Sequence, residues 1–248
     1  MPGNPVSSPD SGLAKLAAAL RKVAHDGHHR RLLHLAGERD WCHAAAAAAS
    51  LAEDRLWIGD RGSDGERLIP AQKARTLLGG DYTTIIYAAH AGLDVDALAA
   101  AAGTLRGGGL LLLLTPLLEA WPELPDPALA RLLTSPATPD DAEGRFITRL
   151  IALLRTDPAV TCCTQGAPLP HPPVSAPNIT APRQAGPDGC VSDDQRRAVS
   201  AVVGAAEGVP AVLTADRGRG KSAALGLAAA HLLATGVHNI VVTAPRRA

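Results

Sequence analysis

Near its carboxyl end, this 248-residue chain reads Ala211-Val212-Leu213-Thr214-Ala215-Asp216-Arg217-Gly218-Arg219-Gly220-Lys221-Ser222. An apolar run, a small-residue loop and an Ala/Leu-rich run predict a strand, a phosphate-binding loop and a helix, in that order. Gly220-Lys221-Ser222 matches the invariant end of the Walker A pattern, and Ala215 stands where its first glycine is usual. The stretch therefore predicts a nucleotide site in an α/β fold.

The residue types of this loop define its expected chemistry. Backbone N–H groups of a small-residue turn converge on phosphate oxygens, and the helix expected at about Ala223 to Ala234 points its positive dipole end at the same anion. Lys221 supplies a point charge to the outer phosphates, and Ser222 can place its hydroxyl on Mg²⁺. Arg217 and Arg219 add positive charge around the phosphates or serve RNA instead. The candidate nucleotide-binding residues are Gln195, Arg217, Gly218, Arg219, Gly220, Lys221, Ser222 and Ala223, with Ser222 the candidate Mg²⁺ ligand through ATP.

The flanking segments favour the same fold. Ala211–Thr214 predicts a short apolar strand, and residues 239–245 predict the next parallel strand. Upstream, Ser192 is a plausible N-cap of a helix whose apolar positions suit packing against a sheet. Those apolar positions are Ala198, Val199, Val202 and Val203.

Gln195 has two interpretations. In the first, Ser192 and Gln195 form a capping box, because Ser-x-x-Gln is that motif. In the second, the Gln195 amide recognises adenine, since an amide can both donate to and accept from the adenine edge. The position of Gln195 upstream of a P-loop favours adenine recognition.

The first two thirds of the chain alternate between strand and helix patterns. An amphipathic helix through Leu13 and Leu20, capped by Asp10 or Ser11, follows a start that we expect to be disordered. Strands separated by helices predict right-handed crossovers and a parallel, buried, Rossmann-like sheet. The expected strands are Leu32–Leu35, Arg55–Ile58, Thr83–Ala88, Leu110–Leu114 and Ala159–Cys163; the expected helices are Trp41–Leu51, Ala71–Leu78, Asp94–Leu105 and Arg145–Leu154.

Ligands of such sheets meet the loops after the strands, and none of these loops carries G-x-G-x-x-G. The cluster Gly107-Gly108-Gly109 precedes its strand, which favours a tight turn over a ligand loop. His90 could act as a base, but a lone loop histidine is more often structural. The basic run His25–Arg31 suggests a metal or RNA site, although a solvated helix end is favoured.

Prolines predict the domain boundary. Between Thr164 and Gly189 they remove backbone donors, which predicts an extended, semi-rigid linker. The expected organisation is a disordered start and amphipathic helix (1–30), a Rossmann-like domain (31–165), a Pro-rich linker (166–190) and the start of a truncated, RecA-like P-loop helicase domain (191–248).

Composition excludes several classes of protein. Lys plus Arg and Asp plus Glu both number 24, so any RNA contact must come from a local patch. Cys42, Cys162, Cys163 and Cys190 lack zinc or disulfide spacing, which predicts reduced structural thiols. The longest apolar run is too short to span a bilayer, so we expect a cytoplasmic protein with no membrane contact.

The loop and its surroundings resemble the helicase-like ATPase module of the tRNA(Met) cytidine acetyltransferase family. The residues that carry this resemblance are Thr214–Ser222, Ser192–Gln195 before them and Val242–Pro245 after them. The first domain is similar to the amino-terminal Rossmann-like domain of the same family. Its matching features are Lys73, Leu77–Gly79, His90–Leu93, Ala102–Gly109, Thr115-Pro116 and Trp121.

The resemblance implies an enzyme that uses ATP hydrolysis and acetyl-CoA to acetylate N4 of the wobble cytidine in elongator tRNA(Met). In the family, a Walker B carboxylate pair, later helicase motifs and an acetyltransferase domain follow, whereas this sequence stops at Ala248. We therefore expect no catalytic residue and no acetyl-CoA site within these residues. The 248 residues alone are predicted to be catalytically inactive.

A second hypothesis is a non-catalytic P-loop module, regulatory or RNA-binding, whose ATP site acts as a switch. A third interpretation, compatible with either of the others, treats the first domain as a structural scaffold. Nothing in the residues indicates an oligomeric state or a tRNA-contacting surface.

Overall fold

A computed structural model describes residues 9–27, 29–49, 55–62, 65–130, 133–134, 137–138, 144–172, 184–215 and 220–243. The chain divides into two compact units, with the division between residues 180 and 181. The domain boundaries expected from the proline pattern remain predictions, because residues 173–183 lie outside the described part.

The first unit is a six-stranded sheet with helices on both faces. Its helices are α1 (Pro9–Asp26), α2 (Arg39–Ala49), α3 (Val95–Thr104), α4 (Pro127–Ala130) and α5 (Arg145–Thr156), with short 3-10 helices at Ala71–Leu77 and Trp121–Glu123. Its strands are β1 (Arg31–Ala36), β2 (Arg55–Ile58), β3 (Arg67–Ile69), β4 (Tyr82–Ala88), β5 (Leu105–Thr115) and β6 (Val160–Thr164).

The strands lie in the order β3-β2-β4-β5-β1-β6, and all five neighbouring pairs are parallel. In the central pair, Leu33 is opposite Leu112 and Ala36 is opposite Thr115. A parallel arrangement places the carboxyl ends of all strands at one edge of the sheet and the amino ends at the other. The α/β class with a parallel Rossmann-like sheet is confirmed.

Alternate side chains of the strands build two apolar layers. Leu33 and Leu35 face α1 and α2, whereas Ala36 belongs to the layer under α3 and α5. Both faces are covered, which explains why the strands read as continuous apolar runs without polar alternation. Leu110–Leu114 shows this best, since all five side chains are buried.

The helices expected in the first unit are present. α1 runs from Pro9 to Asp26, and capping by Asp10 or Ser11 remains a prediction. The helix expected at Ala71–Leu78 is a 3-10 helix over Ala71–Leu77. β3 was missed because its three residues, largely exposed, carry little apolar pattern. Asp94, in contrast, caps α3 as predicted, since its carboxylate accepts from the Ala97 N–H at 3.1 Å.

The tight turn predicted for the glycine cluster before its strand was wrong. The cluster Gly107-Gly108-Gly109 lies within β5, where the pairing with β4 jumps from Tyr82–Leu105 to Thr84–Leu110. The cluster therefore forms a bulge at the amino edge of the sheet. Gly108 has a φ of +80°, and its N–H donates to the His29 carbonyl at 2.7 Å.

The second unit contains helices α6 (Asp193–Val203) and α7 (Lys221–Ala234), which pack against each other. The strands expected at Ala211–Thr214 and from residue 239 onward are not formed by the described residues 211–215 and 239–243. Val212 is 79% exposed and Val241 is 87% exposed, so these segments have no neighbouring strand to stabilise them. The expected sheet contact of α6 is likewise replaced by α7.

Burial makes two of the cysteines poor nucleophiles. It raises the pKa of Cys42 and of Cys163 to about 12, as expected of structural thiols.

Among the helices of the described ranges, none is both long enough and apolar enough to cross a membrane.

Candidate functional site

A cleft of about 990 Å³ in the second unit lies between the two helices and the segment that precedes the phosphate-binding loop. Of the predicted site residues, the structure brings Gln195, Gly220 and Lys221 together here. The lining residues are Ser192, Asp194, Gln195, Ala198, Val212, Leu213, Thr214, Ala215, Gly220, Lys221 and Ala224.

Gly220 is the N-cap of α7 and has a left-handed backbone, φ +81°, which favours glycine. A β-carbon at this position would lie 3.2 Å from Gln195 Nε2, so the loop and the Gln195 side chain are close neighbours. The invariant glycine of the motif thus has a local structural reason.

Lys221 Nζ donates to the Ala215 carbonyl oxygen at 2.6 Å. This hydrogen bond joins the two ends of the loop and holds the ammonium group in the lining of the cleft. A carbonyl acceptor in this place shows that the ammonium group is within reach of an oxygen ligand.

Ser222 and Ala223 occupy the first turn of α7, and both are exposed. Because the first N–H groups of a helix have no intrahelical acceptor, this turn presents backbone donors beside Lys221. The donors at this end of α7 are the Lys221 ammonium group and the backbone N–H groups that follow the left-handed Gly220. Such a set of donors suits the oxygens of a polyphosphate. Arg217, Gly218 and Arg219 lie outside the described residues, so their roles remain predictions.

Gln195 takes part in the helix cap. Its backbone N–H donates to Ser192 Oγ at 3.2 Å, and its side-chain Oε1 accepts from the Val191 N–H at 2.8 Å. The capping interpretation therefore has a geometric basis, and adenine recognition remains a prediction. The Gln195 amide nitrogen faces Gly220, so one buried side chain contacts both the cap and the loop.

Two variants separate these roles of Gln195. Gln195→Glu retains an acceptor for the Val191 N–H but removes the amide donor that an adenine edge would use. We expect it to fold as the wild type does and to lose the preference for ATP over GTP, whereas Ser192→Ala should cost about 1 kcal/mol of stability and keep that preference. Chemical unfolding and competition binding measure the two effects. Unchanged ATP preference in Gln195→Glu would leave Gln195 with the capping role alone.

In the first unit, the chain itself covers the carboxyl ends of β1 and β6, whereas a pocket of about 380 Å³ lies at the carboxyl ends of β2, β3 and β4. Gln165 Oε1 accepts from the Glu38 N–H at 2.7 Å, and His90 Nε2 donates to the Gly37 carbonyl at 3.0 Å. A β-carbon at Gly37 would lie 2.6 Å from Gln165 Oε1. Gln165 fills the place where Rossmann ligands meet a helix N-terminus, and no sequence signal pointed to it.

Two ion pairs lie at this edge. Arg39 binds Asp60 at 2.8 Å, and Arg61 binds Asp40 at 2.5 Å. Burial, above all other causes, lowers the pKa of His90, which keeps it neutral at physiological pH. His90 therefore has a structural role here, as a donor to a backbone carbonyl.

The comparisons with known protein families match both units. Residues 9–165 match the family model described as tRNA(Met) cytidine acetyltransferase TmcA, N-terminal. Residues 212–248 match the model described as RNA cytidine acetyltransferase NAT10/TcmA, helicase domain. Fold and matches together define an α/β protein with a Rossmann-like domain followed by a P-loop, helicase-like segment.

Curated relatives agree with these matches. The tRNA(Met) cytidine acetyltransferase TmcA of Nitrosococcus halophilus is 43% identical over 94% of this chain, and that of Haloferax volcanii is 36% identical over 95%. The same-named protein of Salmonella typhimurium is 31% identical over 96%. The chain spans about a third of the length of these relatives. This chain belongs to the tRNA(Met) cytidine acetyltransferase TmcA family, as its sequence motifs predicted.

Proposed function

We propose that this chain binds ATP and Mg²⁺ at the Lys221 loop as part of an enzyme that acetylates N4 of the wobble cytidine in elongator tRNA(Met). The acetyl donor is acetyl-CoA: its thioester bond breaks, the N4–acetyl bond forms, and CoA leaves as the thiol with the proton from N4. This activity belongs to a protein of the length of the relatives. No residue of the described ranges is assigned to acetyl-CoA.

The observation that carries the proposal is the position of the Lys221 ammonium group, 2.6 Å from the Ala215 carbonyl and beside a left-handed Gly220. Phosphate oxygens would replace that carbonyl as the acceptor. The charge of Lys221 then lies on the outer phosphates, and the first-turn N–H groups complete the cradle.

Ser222 and Gln195 complete the proposed nucleotide site. Ser222, exposed in the same turn, would place its hydroxyl on the Mg²⁺ that accompanies ATP. Gln195 would orient the adenine, and Arg217 and Arg219 would add positive charge near the phosphates or the RNA. ATP, when bound, supplies the free energy of hydrolysis. We place the activity in the cytoplasm, where tRNA is available as a substrate.

The reaction product tests this proposal. A protein of the relatives' length that carries this chain is incubated with elongator tRNA(Met) transcript, acetyl-CoA and ATP, and its nucleosides are analysed by mass spectrometry. We expect N4-acetylcytidine, and none when acetyl-CoA is omitted or the wobble cytidine is replaced by uridine. Absence of product in the complete mixture would overturn the proposal. Nucleotide binding without acetylation would favour the non-catalytic P-loop module.

A further inference from the structure

The amino edge of the sheet, opposite to the edge where Gln165 lies, is rich in arginine. Arg31, Arg55 and Arg67 are the first residues of β1, β2 and β3, and Arg106 is the second residue of β5. α1 ends at the same edge, since its Arg21 donates to Thr84 Oγ1 of β4. The parallel topology thus gathers cations that are far apart in the sequence.

A concave surface of about 540 Å³ lies at this edge, between the end of α1 and the β5 bulge. Its shape depends on two close approaches. The Gly108 N–H binds the His29 carbonyl, and a β-carbon at Gly108 would lie 3.3 Å from His25 Cα. The lining residues are Arg21, Lys22, His25, Asp26, Thr83 and Gly108.

Carboxylates neutralise only part of this charge. Lys22 pairs with Asp26 at 2.6 Å, Arg55 with Glu66 at 2.5 Å and Arg106 with Asp81 at 2.9 Å. Within the described part of the chain, no carboxylate pairs with the remaining cations of this edge, and Glu53 and Asp54 lie outside that part. Those cations are Arg21, Arg30, Arg31 and Arg67. Arg31 is buried and donates to the Pro158 carbonyl at 2.8 Å, so it is not available to a ligand.

Arg21 also has an unmet hydrogen-bonding requirement. Its Nε atom is buried and has no acceptor among the described residues. Burial, and secondly the charge of Arg55, lower the pKa of the Arg21 guanidinium. An anion in the adjacent groove would offset the repulsion between Arg21 and Arg55, because it supplies an opposite charge.

Gly107 is a glycine that the fold does not require. A β-carbon there would meet no atom within 4 Å, and the backbone of Gly107 lies outside the left-handed region. Its bare backbone stands in the bulge beside Arg106, where a phosphate group could approach closely. Packing does not explain why this position is glycine, whereas close approach of a ligand to the backbone would explain it.

The cations are spread too widely for one small anion. Neighbouring strands lie about 4.8 Å apart, so the arginines from β3 to β1 extend over roughly 20 Å of the edge. An extended polyanion can contact such a row, whereas a single phosphate group can contact only one part of it. Carboxylates at the opposite edge already hold Arg39 and Arg61, so that edge is unsuited to a polyanion.

We propose that the amino edge of the sheet, formed by Arg21, Lys22, Arg30, Arg67 and the Gly107 backbone, binds the phosphate backbone of RNA. This proposal rests on the proposed function, because it assigns to the substrate tRNA a contact surface on the first unit. It gives the basic end of α1 and the glycine cluster a shared role.

Charge reversal tests this surface. The double variant Lys22→Glu/Arg67→Glu changes two exposed side chains, and Lys73→Glu/Arg149→Glu makes the same change in net charge at exposed positions elsewhere in the first unit. We expect the first variant of the 248-residue chain to bind labelled elongator tRNA(Met) at least about tenfold more weakly by fluorescence anisotropy. Its slope of log affinity against log salt should fall by about 1.5, and the control should change both values much less.

A second variant keeps the charge unchanged. Gly107→Ala should leave the melting temperature unaltered, because its β-carbon enters open space, and should weaken tRNA binding by several fold. Inorganic phosphate titrated into the Lys221→Ala variant, in which the phosphate-binding loop does not contribute, should show no saturable binding at millimolar concentration. Tight binding of free phosphate to that variant, or equal effects of the test and control variants on tRNA, would overturn the proposed RNA surface.

The two proposals fail in different ways. If the longer protein acetylates tRNA normally while both amino-edge variants bind tRNA as the controls do, only the RNA surface is wrong. If no acetylation occurs but the amino-edge variants still lose tRNA affinity, the proposed reaction is wrong and the RNA surface stands.

Discussion

Lys221→Ala is expected to abolish measurable ATP binding by this chain at micromolar concentrations. A hydrogen bond to a charged group contributes about 1.5–3 kcal/mol, so its loss should weaken binding by roughly ten- to a hundredfold. The ammonium group is exposed to the cleft and contacts a backbone carbonyl, so its removal should leave the fold intact. Fluorescence titration with a labelled ATP analogue measures the change. In a protein of the relatives' length, the same substitution should abolish ATP-dependent acetylation.

Lys73→Ala is the matched control, because it removes an exposed lysine from the first unit. We expect it to bind the ATP analogue as the wild type does. Equal affinity of the wild type and Lys221→Ala would contradict the assignment of the P-loop. Lys221→Arg should restore little binding, since a planar guanidinium does not replace a compact ammonium group.

The second large effect that we expect is a loss of stability of the first unit in mild acid, caused by His34. Its side chain is fully buried in β1, and burial lowers its pKa to about 4 from 6.5. His34 Nε2 lies 2.8 Å from Thr115 Oγ1, whose own hydroxyl donates to the Pro116 carbonyl, so Nε2 carries the proton. Nδ1 is buried and has no partner among the described residues, so the charged form would be unsatisfied.

The lowered pKa determines the direction of the pH dependence. Well above pH 6.5 both folded and unfolded states hold His34 neutral, and it contributes no pH dependence. As the pH falls from 6.5 towards 4, His34 becomes protonated in the unfolded state but stays neutral in the folded state, so the free energy of unfolding decreases. The expected loss between pH 7 and pH 5 is roughly 2 kcal/mol.

Comparison with a variant isolates this contribution from that of other titrating groups. His34→Gln keeps a donor for Thr115 Oγ1 but does not titrate in this range. Chemical unfolding at pH 7 and pH 5 should show that the wild type loses roughly 2 kcal/mol more than the variant does. The same pH dependence in both proteins would contradict the role of His34. His43 and His90 are present in the wild type and in the variant, so their contributions to the pH dependence cancel in the comparison.

The fold of the first unit could be predicted well from its sequence, because a continuous apolar strand is stable only where both of its faces are buried. Leu110–Leu114 cannot sit in a half-exposed sheet, so a parallel sheet covered on both faces follows from it. β3 escaped prediction because its arginine, leucine and isoleucine are stabilised by pairing with β2, a contact distant from any local pattern. The glycine bulge escaped for the same reason, since it depends on pairing with β4.

The proposed nucleotide site was less fully predictable. Motif spacing predicts phosphate binding by Gly220 and Lys221, because the chemistry of that binding lies within a few consecutive residues. The structure places both residues in one cleft. The dual contact of Gln195 could not be inferred, since it depends on the packing of α6 against α7. The expected strands around the loop were wrong for the described residues, because a strand forms only beside a partner.

Sequence alone therefore determined the α/β class, the order of the main elements, the phosphate-binding motif and the family, because these are written in local period and residue type. Only the tertiary structure decided that Gln165 covers the carboxyl end of β1 and that the arginines gather at the amino edge. Both features join residues far apart in the chain. Their position depends on strand order, which no local pattern encodes.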